Sequence, residues 1–302
     1  MSIHPDTSIG YAHLTVADLS RSLDFYTNTL GFRLLLQERD TAALGVDGET
    51  PLLYLTELPG AQPQPEGTTG LYHFAILVPS RADLGRSLRR LLEKEYPLVG
   101  ASDHLVSEAL YLDDPDGNGI EIYRDRPRIE WPMQGSEVRM ANAPLDGDGI
   151  LAEAERDGRP WQGMAPGTRI GHIHLHVGDL QAAEEFYTGV LGFDVMQRWT
   201  AGGALFVSAG GYHHHIGLNI WAGVGAPPPP PNTAGMRLYT IQLPHDAARA
   251  EVAARLKAAG VPVEHQDGAL SLRDPWQNTI LLTLENAAGA APATVAHQVE
   301  GR

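Results

Sequence analysis

Residues 9–32 read IGYAHLTVADLSRSLDFYTNTLGF, and residues 170–193 repeat this stretch as IGHIHLHVGDLQAAEEFYTGVLGF. Thirteen of the 24 aligned positions are identical at an offset of 161 residues, which indicates an internal duplication. A second pair of segments recurs at an offset of 160: LYLDDPDGNGIEIY at residues 110–123 and LSLRDPWQNTILLT at residues 270–283. The chain therefore consists of two related halves.

Each half contains two units of the same pattern. A short alternating or apolar stretch, typical of a strand, is followed by a helical stretch and then by further short strands. The first and third helices are predicted to end at Gly31 and Gly192, because glycine commonly terminates helices. The opening strands are predicted at residues 11–16, 71–78, 172–177 and 237–243, and the helices at residues 19–30, 81–94, 180–191 and 247–259. We expect an α+β protein built of four β-α-β-β-β modules.

The domain organisation follows from these repeats. A chain of 302 residues is long for a single core, so two domains are expected, at residues 1–126 and 168–286. Residues 127–167 are rich in proline, glycine and charge, and they are interpreted as a linker with one short helix near residues 149–156. Residues 287–302 are rich in alanine, glycine and proline, which predicts a flexible tail.

Composition excludes several classes of function. With 22 Lys and Arg against 37 Asp and Glu, the formal net charge is −15, so nucleic acid is not an expected partner. The absence of cysteine excludes disulfides, thiolate zinc sites and cysteine nucleophiles. The sequence shows no signal peptide and no stretch of about 18 apolar residues. We therefore expect a cytoplasmic protein that does not associate with membranes.

Histidines are clustered in two places. His172, His174 and His176 alternate along one predicted strand and therefore share a face, and residues 213–215 are three consecutive histidines at the start of another strand. A lone strand histidine is usually a hydrogen-bonded core or surface residue. Two such clusters in a chain without thiols favour a metal site instead, because histidine together with a carboxylate suits Fe(II) or Mn(II).

Glu121 is the candidate carboxylate, since it lies between two isoleucines in an apolar strand. Burying a carboxylate is costly unless a partner such as a metal ion compensates the charge. The alternative is that Glu121 faces solvent on an edge strand. The counterparts of His73, Tyr111 and Glu121 in the fourth module are Leu238, Ser271 and Leu281. This loss of polar residues is typical of one functional site and one site that has lost its function.

The motifs resemble those of the vicinal oxygen chelate superfamily, which includes glyoxalase I, bleomycin-resistance proteins and type I extradiol dioxygenases. The resemblance rests on the repeated module, on DL…FYT..LGF and on DPDGNGIE, and it covers nearly the whole chain. The phrases LYHFAIL, DHLVSEALYLDDPDGNGIEIY and GYHHHIGLNIWAG are most similar to the catechol 2,3-dioxygenase branch. This resemblance implies two open mixed β-barrels, each formed by two modules.

The resemblance also implies a site in which two histidines and one glutamate hold Fe(II), with Mn(II) as the other metal that this ligand set accepts. The family pattern matches His73 and Glu121 in the second module and His172 in the third. These three residues share one site if module two pairs with three and module one with four, which is the arrangement that we favour. If modules one and two paired instead, Tyr11 or His13 would supply the third ligand.

Three further residues match family positions near the metal. Tyr111 corresponds to the tyrosine that hydrogen-bonds a substrate oxygen, His214 to the acid/base histidine, and His104 to a histidine before the tyrosine strand. The implied reaction is extradiol cleavage of a catechol, or of a substituted catechol, by O2. Exposed sheet edges of such modules often pair, so a homo-oligomer is also an expectation.

Two other functions remain open from the sequence. A glyoxalase-like isomerase or lyase normally uses four ligands including two glutamates, and the third module offers no glutamate in its last strand. A metal-free binding module, as in bleomycin resistance, would not need His73 and Glu121 inside apolar strands.

Overall fold

The computed structural model describes residues 2–285, so the predicted tail at residues 287–302 lies outside the described part. The strands are β1 Ser8–Val16, β2 Arg33–Glu38, β3 Thr41–Gly45, β4 Pro51–Glu57, β5 Gly70–Leu77, β6 Gly100–Asp103, β7 Ser107–Asp113, β8 Gly119–Asp125, β9 Met133–Gln134, β10 Glu137–Val138, β11 Arg169–His176, β12 Asp194–Trp199, β13 Ala204–Ser208, β14 Ile216–Asn219, β15 Gly235–Leu243, β16 Glu264–Gln266, β17 Ala269–Arg273 and β18 Thr279–Leu284. The α-helices are α1 Leu19–Asp24, α2 Arg81–Glu93, α3 Gly147–Asp157, α4 Leu180–Glu184 and α5 Asp246–Ala258.

Two eight-stranded mixed sheets form the fold. One has the order β16-β17-β18-β15-β1-β4-β3-β2 and joins strands of the fourth and first modules. The other has the order β12-β13-β14-β11-β5-β8-β7-β6 and joins strands of the third and second modules. The modules meet where β1 runs antiparallel to β15 and where β11 runs antiparallel to β5. The predicted α+β fold of four β-α-β-β-β modules is confirmed. No helix within residues 2–285 is long and apolar enough to cross a membrane.

The first and third helices differ from the prediction in their second halves. Helix α1 continues as a π-helix over Phe25–Thr29, and α4 continues as a π-helix over Glu185–Val190. These turns carry buried tyrosines: the Tyr26 hydroxyl donates to Asp114 Oδ2 at 2.8 Å, and the Tyr187 hydroxyl donates to Asp274 Oδ2 at 2.9 Å. The contact ties the FYT motif of one module to the DP turn of the next, which explains why both motifs recur. A single π turn leaves the apolar spacing almost helical, so the sequence pattern did not reveal it.

The segment between the halves packs onto the second module. The helix predicted near residues 149–156 is confirmed as α3, which lies against α2. The two helices approach closely at Gly85, where an added Cβ would collide with the Ile150 carbonyl oxygen and lie 2.8 Å from the Ala154 Cβ. Glycine is thus required at this position by the space available and not by its backbone conformation.

We predict that Gly85→Ala destabilises the protein by about 1–3 kcal/mol, because the added methyl group overpacks the α2–α3 contact. Gly189→Ala is the matched control, since a Cβ at that helical position would meet nothing within 4 Å. The control should be neutral or more stable by about 0.5–1 kcal/mol, because alanine loses less conformational entropy than glycine on folding. Chemical denaturation of both variants measures the difference. Equal stability of the two variants would contradict the close packing of α3.

Candidate functional site

Three buried side chains converge on neighbouring strands of the sheet formed by the second and third modules. His73 lies on β5, His172 on β11 and Glu121 on β8, and β5 is the central strand of the three. His73 Nε2 is 3.0 Å from Glu121 Oε2 and 3.2 Å from His172 Nε2. His172 Nε2 is 3.2 Å from the same carboxylate oxygen. Among residues 2–285, this triad is the group of histidines and carboxylates arranged to hold a metal ion.

The spacing of the three donor atoms suits one face of a metal ion. Two donors about 2.1 Å from an ion, at right angles to each other, lie about 3 Å apart. All three pairs of donor atoms in the triad are 3.0–3.2 Å apart, so each pair fits that arrangement. Two imidazoles and one carboxylate on one face of an ion would leave its remaining coordination positions open. This donor set is typical of non-haem iron oxygenases.

Electrostatics favours the protonation states that metal binding requires. Burial alone would raise the pKa of Glu121, but His172 and His73 hold that pKa well below its usual value. Burial lowers the pKa of His172 to about 4, against the opposing effect of Glu121. A carboxylate must be ionised and an imidazole neutral before either can bind a metal.

The equivalent positions in the other sheet contain no such donors. The residues equivalent to His172, His73 and Glu121 are Tyr11, Leu238 and Leu281, respectively. These three residues form an apolar cluster with Ala269. His13, the other residue considered as a third ligand, also lies on β1 in that sheet, with Nε2 2.7 Å from Thr56 Oγ1. The structure therefore brings His172, and neither Tyr11 nor His13, to the residues of the second module.

Tyr111 and His104 form a hydrogen-bonded pair beside the triad. Tyr111 on β7 is directly opposite Glu121 on β8, and its hydroxyl is 2.6 Å from His104 Nε2. His104 Nδ1 donates to the carbonyl oxygen of Ala141 at 2.9 Å, because a carbonyl can only accept. In neutral His104 the remaining nitrogen, Nε2, must then accept the Tyr111 proton. Burial and Glu121 raise the pKa of Tyr111 well above its usual value, so the phenol keeps that proton.

His214 packs against the triad, with its ring centroid 4.1 Å from that of His172. Its Nδ1 lies 2.8 Å from His213 Nδ1, and His213 Nε2 donates to Asp125 Oδ1 at 2.8 Å. When both rings are neutral, His213 Nδ1 must accept from His214 Nδ1–H. This leaves His214 Nε2 with a free lone pair, which is the form of a proton acceptor. Burial lowers the pKa of His214 well below its usual value, which keeps the ring neutral.

The other two histidines of β11, His174 and His176, lie on the predicted face but hydrogen-bond to the side chain of Asn219. The Asn219 amide donates to His174 Nε2 at 3.0 Å, and His176 Nδ1 donates to Asn219 Oδ1 at 2.7 Å. Asn219 thus hydrogen-bonds one ring nitrogen of each histidine. Of the alternating histidines, His172 is the one whose nitrogen reaches Glu121.

A cavity of about 920 Å³ opens onto the triad. One part of the wall is aromatic and consists of Tyr72, Trp199, Phe206 and Trp221. A second part of the wall comes from the segment predicted to be a linker, namely Gln134, Arg139, Met140, Ala141 and Asn142. Sequence reasoning missed this second part, because a proline- and glycine-rich composition indicates a connector and not where the connector runs. It also missed Asp125, which nothing in its local sequence distinguishes.

Comparison with known proteins identifies the family. The model of the Glyoxalase/Bleomycin resistance protein/Dioxygenase superfamily matches residues 8–122 and 169–282, which together are more than half of the chain. The chain belongs to this superfamily. This chain is 51% identical over 277 residues to "Catechol-2,3-dioxygenase" from Bacillus subtilis (strain 168), and the match covers 91% of this chain and 96% of that protein. It is 27% identical over 125 residues to "Lactoylglutathione lyase" from Escherichia coli O157:H7, covering 37% of this chain and 89% of that protein.

Solved structures support the superfamily fold at low sequence identity. Glyoxalase I from Zea mays matches with a TM-score of 0.55 and 17% identity, covering 92% of this chain and 92% of that one. The cppA protein from Streptococcus pneumoniae TIGR4 matches with a TM-score of 0.55 and 12% identity, covering 92% of this chain and 98% of that one. At such identities, the likeness concerns the fold alone.

Proposed function

We propose that this protein is an extradiol dioxygenase that uses O2 to cleave a catechol, or a substituted catechol, beside its two hydroxyl groups. His73, Glu121 and His172 would hold Fe(II), and Mn(II) is the other metal that this donor set accepts. The observation that carries the proposal is the convergence of these three donors within 3.2 Å in the sheet that carries the cavity. The identity of 51% to a catechol-2,3-dioxygenase supports the same reaction class.

A bound metal would supply positions for both substrate oxygens and for O2 and would acidify the catechol hydroxyl. Tyr111 commits its own proton to His104, so its oxygen is free to accept a hydrogen bond from a substrate hydroxyl. His214 Nε2 would take the proton that the catechol releases, since His213 occupies its other nitrogen. The aromatic wall excludes water from the ring and orients it.

The strand register argues against a four-ligand, glyoxalase-like site. Ala75 on β5 is paired with Glu121, whereas the equivalent pairing in the third module joins His174 to Gly217. A second glutamate would therefore have to stand at residue 217, where a glycine is present. Any side chain there would meet His174 atoms at 2.8 Å. The site keeps three protein donors and open positions for substrate and O2.

The proposal predicts O2 consumption and a yellow ring-fission product when protein loaded anaerobically with Fe(II) receives catechol and then O2. Oxygen uptake and product absorbance measure the reaction, and elemental analysis measures metal content. Protein without metal is the control and should consume no O2. A fully metal-loaded protein that binds catechols but leaves O2 unconsumed would contradict the proposal. If it isomerised a hemithioacetal instead, it would be glyoxalase-like.

A further inference from the structure

We propose that Gln197 is a positioning residue: it holds residues 139–143, here called the strap, across the cavity, and through the strap it fixes the hydrogen bonding of His104. The proposal rests on the proposed function for its catalytic consequence. Its structural part, a strap anchored by the Gln197 side chain at one end and by a backbone pair at the other, is argued from contacts alone. Neither Gln197 nor the strap belongs to the sequence motifs that repeat between the two halves.

The first anchor is a side-chain amide that pairs with both polar groups of one backbone residue. Gln197 Oε1 accepts the Met140 N–H at 2.9 Å, and Gln197 Nε2 donates to the Met140 carbonyl at 3.2 Å. A glutamine has one acceptor and one donor at the tip of its side chain, so it can replace a strand neighbour here. Gln197 lies on β12, which is one outermost strand of the sheet that contains the triad.

The second anchor lies at the opposite edge of the same sheet. Asp103 N donates to the Ala143 carbonyl at 2.9 Å, and Ala143 N donates to the Asp103 carbonyl at 2.9 Å. Asp103 is the last residue of β6, the other outermost strand. The strap therefore spans the gap between the two edges of a curled sheet and closes it over the cavity.

Between the two anchors, the strap contacts His104. The carbonyl of Ala141 accepts from His104 Nδ1 at 2.9 Å and so directs the other ring nitrogen to the Tyr111 hydroxyl. Ala141 follows Met140 directly, so the two hydrogen bonds of Gln197 help to fix that carbonyl, together with the longer hydrogen bond that Ala141 N donates to the His104 carbonyl at 3.4 Å. Moving the strap would release His104 from this orientation and leave Tyr111 without its acceptor.

The other sheet of the duplicated fold serves as an internal comparison. The position equivalent to Gln197 is Leu36, which follows the same kind of strand irregularity on β2. Leu36 cannot make either hydrogen bond, and it is 44% exposed. The glutamine is thus present in the sheet that carries His73, Glu121 and His172, and absent from the sheet in which those donors have been lost.

The test replaces Gln197 with methionine, which has a similar volume and no hydrogen-bonding amide. We expect faster hydrogen exchange at the strap amides, unchanged metal content and a kcat lowered about tenfold or more, with a smaller change in KM, since misplacing His104 and the Tyr111 hydroxyl that it orients acts on the reaction step. Gln197→Glu keeps the acceptor but loses the donor, and it should show an intermediate effect. Leu36→Met is the matched control and should leave exchange and kcat unchanged.

A double-mutant cycle with His104→Ala separates positioning from general structural support. If Gln197 acts through His104, Gln197→Met should lower kcat little further in the His104→Ala background. Additive losses, or unchanged exchange of the strap in Gln197→Met, would overturn the proposal.

One readout is independent of activity. In metal-free protein labelled with ¹⁵N-histidine, the Nδ1–H signal of His104, identified by its absence in His104→Gln, should weaken or disappear in Gln197→Met. If the wild-type protein consumed no O2 with any catechol, the proposed function would fail, while this signal would still decide whether Gln197 orients His104. An unchanged signal would overturn the inference.

Discussion

Replacing Glu121 with glutamine is expected to abolish metal binding and to lower the rate of ring cleavage by about 10³-fold or more, because the metal contributes several kcal/mol to the reaction. The amide is isosteric with the carboxylate but neutral, so the buried site keeps its shape and loses the negative charge that pairs with the ion. The folded protein should survive, since glutamine has nearly the same volume as the buried glutamate and can still hydrogen-bond His73 or His172. Elemental analysis and O2 uptake measure the two effects.

Thermal unfolding with and without added Fe(II) gives a second measurement. A ligand that binds the folded state raises the unfolding temperature, so wild type should gain stability on adding metal and Glu121→Gln should gain little. His172→Ala should behave like Glu121→Gln. The matched control is Tyr11→Phe combined with His13→Ala in the other sheet, and it should retain metal and activity. Full metal content in Glu121→Gln, or loss of metal in the control, would refute the assignment.

The fold could be predicted because the sequence pattern of the first two modules recurs in the third and fourth modules. The alternation of His172, His174 and His176 correctly placed three side chains on one face, since strand periodicity is a local property. Which of the three histidines reaches Glu121 depends on the register between β11 and β5. That register shifts between Ile170 and His172 and again between His174 and Leu175. Such irregularities arise from tertiary packing, and the family resemblance, not the periodicity, pointed to His172.

The parts that could not be predicted depend on contacts between residues far apart in sequence. His104 meets Ala141 across 37 residues and Gln197 meets Met140 across 57 residues. Neither pair has a local signature, because any backbone carbonyl can accept from a histidine. The composition of residues 127–167 resembles that of a flexible connector, yet this segment forms one wall of the cavity. The roles assigned to His214, Tyr111 and His104 remain predictions, which the geometry supports.

The second large effect is expected at His214. We predict that His214→Gln lowers kcat by about 10²–10⁴-fold, which is the usual contribution of a positioned general base, and leaves metal content unchanged. Metal should remain because the three donor atoms of the triad do not include any atom of His214. His214 instead lines the cavity, and it presents Nε2 as an acceptor when its Nδ1–H donates to neutral His213.

Two further variants distinguish proton transfer from packing. Asp125→Asn replaces the carboxylate beside His213 Nε2 with an amide that can donate as well as accept. The tautomers of His213 and His214 are then no longer fixed, and a proton can reside on His214 Nε2. The variant should therefore lower kcat although the side chain of His214 is intact. His215→Gln is the neighbouring control, because His215 Nδ1 bonds Ser208 and the Ala209 amide instead of facing the cavity. Steady-state kinetics on metal-loaded variants decides: near-normal kcat in both His214→Gln and Asp125→Asn would show that the catechol proton leaves by another route.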